Sequence, residues 1–421
     1  MNRADRRRQG ASRKTGDQSV RAWLDQGRAH QQAGRLTEAE DSYRHALELA
    51  PHDAESCHLL GLVTYRLNRL AESLRYLHAA VERQPSLPVY WFNLGVVSQK
   101  AGRSPDAVSA YEKAIALNPR YPDAYGNLGN VLREIGDLPG AVNAYERALK
   151  LNPSHADTHN NLGVAKKEQG HTRDAIVCYR RALELRPTHA EALNNLGLAL
   201  MEIGTLHDAI GCFQQALSVL PGYQLARYNL GMAWSWAGDD SKACECLEMV
   251  ARARHDHRSL PADTAIYRSR IKHDAEQAQF LFEQGKLDEQ YRPYAQSLRR
   301  LQERLESDSR PGNRLMIEPS ELIAIAPSFN RILNCEPPPR IGHGALNPLL
   351  DVLAVEAQYH ATRPEVTYID NLLTQPALDA LRRFCWEATI WKKDYENGYS
   401  GAFLGDGFAS PLLFQIADEL R

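Results

Sequence analysis

At 421 residues the chain is too long for one ordinary core, so two or three regions are expected. Its 50 basic and 52 acidic residues leave a formal net charge of -2, which excludes binding a polyanion through whole-chain charge. Seven scattered cysteines make no disulfide framework, and no apolar run reaches the roughly 18 residues of a membrane span, so a reducing cytoplasm is the expected compartment.

Residues 1–19 set Arg3, Arg6, Arg7, Arg8, Arg13 and Lys14 against Asp5 and Asp17. No apolar stretch follows, so this is no secretory signal. No aromatic residues interleave, so a solvated, disordered tail is expected rather than a nucleic-acid arm.

From Val20 to His257 the chain repeats every 34 residues. Blocks reading FNLG, GNLG, NNLG, NNLG and YNLG place Asn93, Asn127, Asn161, Asn195 and Asn229 one period apart. Numbered within each repeat, position 8 is glycine in all seven, from Gly27 to Gly231. Position 20 is alanine with Ser73 once, position 27 alanine with Val250 once, and position 32 proline until His255. Such a period means stacked supersecondary repeats, not a closed globule. Small residues at 8 and 20 predict two helices crossing at close approach. Glycine at 15, or Asn68, supplies the left-handed residue closing the first helix, and proline at 32 stops the second.

Helix, turn, helix and proline stop together resemble the tetratricopeptide repeat, over more than half of the chain. The fold class expected is mainly α, an α-solenoid of seven repeats (20–257) with a helical cap, followed by a small incomplete α+β segment. Repeats one and two depart at position 6, with Asp25 and Leu59, as capping repeats do. Cys178 and Cys212 fall within second helices and point to packing. Cys244-Glu-Cys246 lacks the spacing of a metal site.

Helical spacing over 262–285 and 291–305 predicts a capping hairpin within 258–308. An irregular connector (309–363) follows, holding a short helix from Pro319 or Ser320, the Pro337–Pro339 run, and a second short helix over 349–359. In 364–421, Val366–Asp370 predicts a strand, and Thr374 as N-cap before Pro376, Leu378, Leu381 and Phe384 predicts a helix.

The run Y-I-D-N-L-L-T-Q-P-A-L-D-A-L, with Ala388–Trp391, Gly398–Phe403 and Gly405–Pro411, resembles the opening of prolyl 4-hydroxylase-like 2-oxoglutarate, iron(II) oxygenases. It is similar to the bacterial branch that carries tetratricopeptide repeats in front. A complete enzyme of that family implies Fe(II) and 2-oxoglutarate, held by an H-x-D and a later histidine. No histidine occurs between Pro364 and Arg421, and the final helix ends without glycine, asparagine or proline. The chain thus reads as a shortened oxygenase-bearing protein, with no catalytic residue, metal or cofactor of its own. His155-Ala-Asp157 spells H-x-D, but the next repeat junction reads His189-Ala-Glu191, so a structural role is expected. His255-Asp-His257 and His273-Asp274 are expected at helix ends or on solvated faces.

The first helix of each repeat is expected to line an inner face, with positions 2, 5, 6, 9, 12 and 13 as candidates. The asparagine column resembles that of O-linked N-acetylglucosamine transferases, which implies Asn93, Asn127, Asn161, Asn195 and Asn229 as contacts to a peptide backbone. Alternatively each amide bridges neighbouring helices, and the two readings are compatible. No nucleotide-sugar domain of alternating strands and helices follows the repeats, so glycosyl transfer fails on content.

Asp123, Asp157 and Glu191 at position 2, with Glu134, Glu168 and Glu202 at position 13, suit basic or polar segments, or else a solvated face with partners such as Arg133 and Lys167. Position 5 (Phe92, Gly126, Asn160, Asn194, Tyr228) lacks the lysine of a chaperone carboxylate clamp. Trp234 and Trp236 either anchor a ligand or close the stack against the capping helices. The function expected is a scaffold for extended protein or peptide segments, without nucleic acid or membrane. The alternative is the substrate-recruiting part of an oxygenase.

Overall fold

The computed structural model describes residues 19–255, 265–307, 314–325, 328, 340–342, 344–349, 372–388, 393–394, 400–401 and 409–419. Outside them lie the basic tail, Pro337–Pro339, the strand expected at Val366–Asp370, the helix expected beyond Leu349, and most of the oxygenase-like run after Ala388.

Fourteen helices carry the repeats: α1 (19–32), α2 (Leu36–Leu49), α3 (Ala54–Arg66), α4 (Leu70–Arg83), α5 (Pro88–Lys100), α6 (Ser104–Leu117), α7 (Pro122–Glu134), α8 (Leu138–Leu151), α9 (Ala156–Glu168), α10 (Thr172–Leu185), α11 (Ala190–Glu202), α12 (Leu206–Val219), α13 (Gln224–Trp236) and α14 (Asp240–His255). This is the paired-helix architecture of an α-solenoid. The chain divides into two compact units at Ala199 and Leu200, within α11.

In the first unit, local chemistry sets each boundary. Pro88 and Pro122 open α5 and α7 where a missing N–H costs nothing. Asp53 and Asp137 cap α3 and α8 by accepting the N–H groups of Ser56 and Gly140. Gly34, Gly102, Gly136 and Gly170 adopt φ between 72 and 85°. A Cβ there would meet nothing within 4 Å, so backbone conformation, not crowding, selects glycine. Asn68, at φ 60°, tolerates the same turn.

The glycine at position 8 has the opposite cause. A Cβ on Gly95, Gly129 or Gly163 would lie 2.6 Å from the ring of Tyr111, Tyr145 or Tyr179. The large residue at position 24 therefore fills the space expected for position 20. Position 20 is buried as well, and in repeat two the Ser73 hydroxyl donates to the Gly61 carbonyl at 2.6 Å.

In the second unit α14 runs 16 residues against 14 for α12, because His255 replaces the stopping proline. The helix expected from 262 begins only at Arg268. Residues Ala265–Tyr267 form β1 instead, antiparallel to β2 (Arg314–Met316). Then come α15 (Arg268–Glu283), a 3-10 turn (Glu289–Tyr291), α16 (Arg292–Ser307) and α17 (Pro319–Ile325), the last starting where expected. Ile271, Leu281, Leu298, Leu301 and Ile325 form their core.

Beside it the fully buried Arg270 pairs with Asp274 at 2.8 Å. This overturns the solvated placement expected for Asp274, because the i, i+4 arginine neutralises it inside. The Gln277 amide donates to the Ala388 carbonyl at 2.8 Å.

Farther on are α18 (Gln375–Glu387), β3 (Lys393–Asp394) paired with β4 (Ser400–Gly401), and α19 (Pro411–Glu419). Thr374 occupies the N-cap position of α18, but its hydroxyl donates to the Gly344 carbonyl instead of capping. Arg340 bridges Asp240 and Asp418, while the Glu419 carboxylate accepts the N–H groups of Ala345 and Leu346.

Candidate functional site

The repeat places the asparagine column on the first helices, and the structure shows what the amides do. In repeat three, the Asn93 amide donates to His58 Nε2 at 2.8 Å. Burial drives the His58 pKa down to about 4, so the ring is neutral and can accept. Further along, Asn195 donates to Asn160 Oδ1 at 3.0 Å, Asn160 to Asn161 at 3.3 Å, and Asn161 to Asn130 Oδ1 at 3.0 Å. The Tyr145 hydroxyl donates to the same Asn130 oxygen at 2.8 Å. Asn93, Asn161 and Asn195 thus bridge to the preceding repeat. Asn127 hydrogen-bonds with Tyr111, whose phenol burial pushes well above its usual range. Asn229, in the second unit, is buried.

Between α7 and the start of α9 lies a cavity of about 380 Å³. Gly126, Asn127 and Asn130 from α7 line one side, and Asp157 and Asn161 from α9 the other. Asp123 stands at the start of α7, and Phe92 enters from α5. The Phe92 ring stands 4.9 Å from that of Tyr121. Room exists because Gly126 has no side chain: a Cβ there would find only Thr158 Oγ1, at 3.8 Å. Asn127 and Asn161 are the predicted residues that this cavity brings together.

The acidic residues around the cavity divide. Asp157 receives both guanidinium nitrogens of Arg186 at 2.9 Å and lies 3.1 Å from His189 Nε2. The Arg186 hydrogen bond holds its carboxyl below the usual range. Glu168 pairs with Arg133 at 2.9 Å, and Glu134 accepts the Gln99 amide at 2.9 Å, so these position-13 acids have the local partners expected. Asp123 has no cation partner among the described residues.

Other expected features resolve plainly. His155 Nδ1 accepts the Thr158 N–H at 3.2 Å and caps α9. With Asp157 held by Arg186, this H-x-D is structural. No group of three or more His, Cys, Asp or Glu able to hold a metal occurs among the described residues. Lys242 of the same repeat lies 4.1 Å over the Trp234 ring, and Trp236 is 52% exposed, so Trp236 does not close the stack as expected. Burial pushes the Cys178 and Cys246 thiols up.

Two residues at the candidate positions 9 and 5 are not singled out by the sequence reading although each carries a signal. Asn130 is an amide in a position-9 column that otherwise reads Arg28, Leu62, Val96, Val164, Leu198 and Met232. Gly126 is the smallest residue of the position-5 column.

Residues 2–222 match the family described as the cilia and flagella-associated protein 70 C-terminal domain. Cellulose synthase operon protein C of Komagataeibacter xylinus is 41% identical over 59 residues, 14% of this chain, and the chain spans only 4% of that relative's length. A tetratricopeptide repeat protein of Parabacteroides merdae is 14% identical, with a TM-score of 0.47 over 55% of this chain and 92% of that one. YrrB, described as a TPR protein with an unusual peptide-binding site, is 22% identical, with a TM-score of 0.39 over 44% of this chain and 95% of YrrB.

Proposed function

We propose that this chain, which belongs to the family of the cilia and flagella-associated protein 70 C-terminal domain, is a tetratricopeptide-repeat scaffold that holds an extended protein segment against the first helices of its repeats. The observation that carries the reading is the cavity beside Gly126, whose walls come from positions 2, 5, 6 and 9 of adjacent first helices. The Asn130 oxygen is used twice within the stack, while its amide nitrogen remains to donate to a peptide carbonyl. Asn127 and Asn161 flank it, and Asn93, Asn195 and Asn229 extend the same column as proposed contacts. The amide bridges support this role, since they fix the rotamers that a ligand would meet.

The scattered cysteines, without the spacing of a disulfide framework, suit a reducing cytoplasm as the compartment. No helix among the described residues is long and apolar enough to cross a membrane.

Peptide display on the immobilised full chain tests the scaffold. Phenylalanine stands at position 5 of repeat three, so Gly126→Phe fills the cavity with a side chain that the repeat accepts. Peptides selected on the native chain should be lost on this variant. Identical selections would remove the cavity from the reading.

A second proposal keeps the oxygenase relationship of residues 364–421, carried by its sequence motifs alone. Under it the repeats would present substrate to a catalytic part. Fe(II) plus 2-oxoglutarate should then leave the melting temperature of this chain unchanged, and a rise would overturn the assignment of those ligands to a separate catalytic part.

A further inference from the structure

We infer that the cavity beside Gly126 takes a lysine or arginine side chain of the bound segment, with Asp123 as its counter-ion; this rests on the scaffold reading and specifies its ligand. The argument comes from comparing consecutive repeats. Asp157 is neutralised by Arg186, 29 residues later, at the end of its own repeat. The residue 29 after Asp123 is Asn152, which carries no charge and lines the same cavity. Its amide oxygen is turned to the N–H and hydroxyl of Ser154. Repeat four thus keeps the carboxylate but lacks the internal cation that repeat five supplies.

The missing partner has room to enter from outside. The cavity's about 380 Å³ exceeds one extended aliphatic stem and its cationic head. The Phe92 ring lines the same cavity, where a cation can meet it, and the Asn130 amide can hold the backbone carbonyl of the same residue. An acidic side chain would meet Asp123 directly and be rejected. An aliphatic one would fill the space but leave Asp123 unpaired.

Fluorescence anisotropy of the full chain tests this, using a short labelled alanine–serine peptide with one central lysine and the same peptide with norleucine or glutamate there. The lysine peptide should bind about fivefold tighter than the norleucine peptide at low salt, with the gap closing at high salt. Asp123→Asn should erase the gap. So should Asn152→Arg, which installs the cation that repeat five already has. Should Asn152→Arg fail to fold, Asp123→Asn carries the test alone.

Equal binding of lysine and norleucine peptides overturns the inference and leaves the scaffold standing. A gap that survives in the variants overturns it as well. No binding of any peptide removes the scaffold reading, and the cation preference with it.

Discussion

The repeats of the first compact unit and the helices that follow His255 in the second are held by different kinds of contact. In the first, the main packing contacts recur: a ring over a glycine, a polar bond from one first helix to the next, 35 residues on. In the second, the decisive contacts occur once. Arg270 and Asp274 are buried together, Gln277 reaches Ala388 across 111 residues, and Arg340 joins Asp240 to Asp418. Recurrence spreads the holding energy over many similar contacts, and uniqueness concentrates it in a few.

The sharpest way to break the comparison is Asp274→Ala, which leaves the Arg270 guanidinium buried without its carboxylate. The expected loss is about 3–5 kcal/mol, read as lost hydrogen-exchange protection across α15, with protection in α5 to α9 unchanged. Replacing the pair by methionine and leucine should recover most of it. Next, Gly129→Val drives a side chain into the Tyr145 ring, and urea unfolding should show about 1–3 kcal/mol lost. Asn161→Ala cuts two links of the amide chain, from Asn160 and to Asn130, while Tyr145 still donates to Asn130, so about 1–2 kcal/mol is expected in the same measurement.

Gly126→Ala should move the other way. It removes a helix-interior glycine where a Cβ has space, so the melt should rise by the equivalent of about 0.5–1 kcal/mol while the cavity narrows.

Smallest is the Asp157–Arg186 pair. Its depressed folded pKa contributes stability above the unfolded carboxylate value and loses it as pH falls through the folded one. Both partners are nearly half exposed, so the effect is screened to a few tenths of a kcal/mol. Arg186→Asn should flatten the acid limb of the stability curve by that amount.

The same contrast explains what was legible in the sequence. Glycine at 8 is a steric demand, glycine at 15 and proline at 32 are backbone demands, and repetition makes each visible. Position 24 also packs against position 8, and the sequence hides it because it alternates Tyr, Leu and Phe, which only volume unites, whereas the residue at 20 is always small. The strand at Ala265–Tyr267 was read as helix because three residues fit either period and the partner, Arg314–Met316, lies far along the chain. The asparagine column was plain. That Asn161 and Asn195 would donate to Asn130 and Asn160 was not, since it depends on how adjacent repeats rotate past one another. The cavity was hidden for the same reason: it is a side chain missing at Gly126 and a charge missing at Asn152.

The ladder between first helices has an evolutionary corollary. Gln99 donates to Glu134, and Arg133 pairs with Glu168, with the same 35-residue offset. Excise the 34 residues from Lys100 through Arg133, and Gln99 meets Glu168, a carboxylate in the register it had before. Unequal recombination between repeats can therefore change their number without leaving an unmatched seam. What such a deletion cannot preserve is Gly126: the stack would heal, and the cavity beside that glycine would be gone.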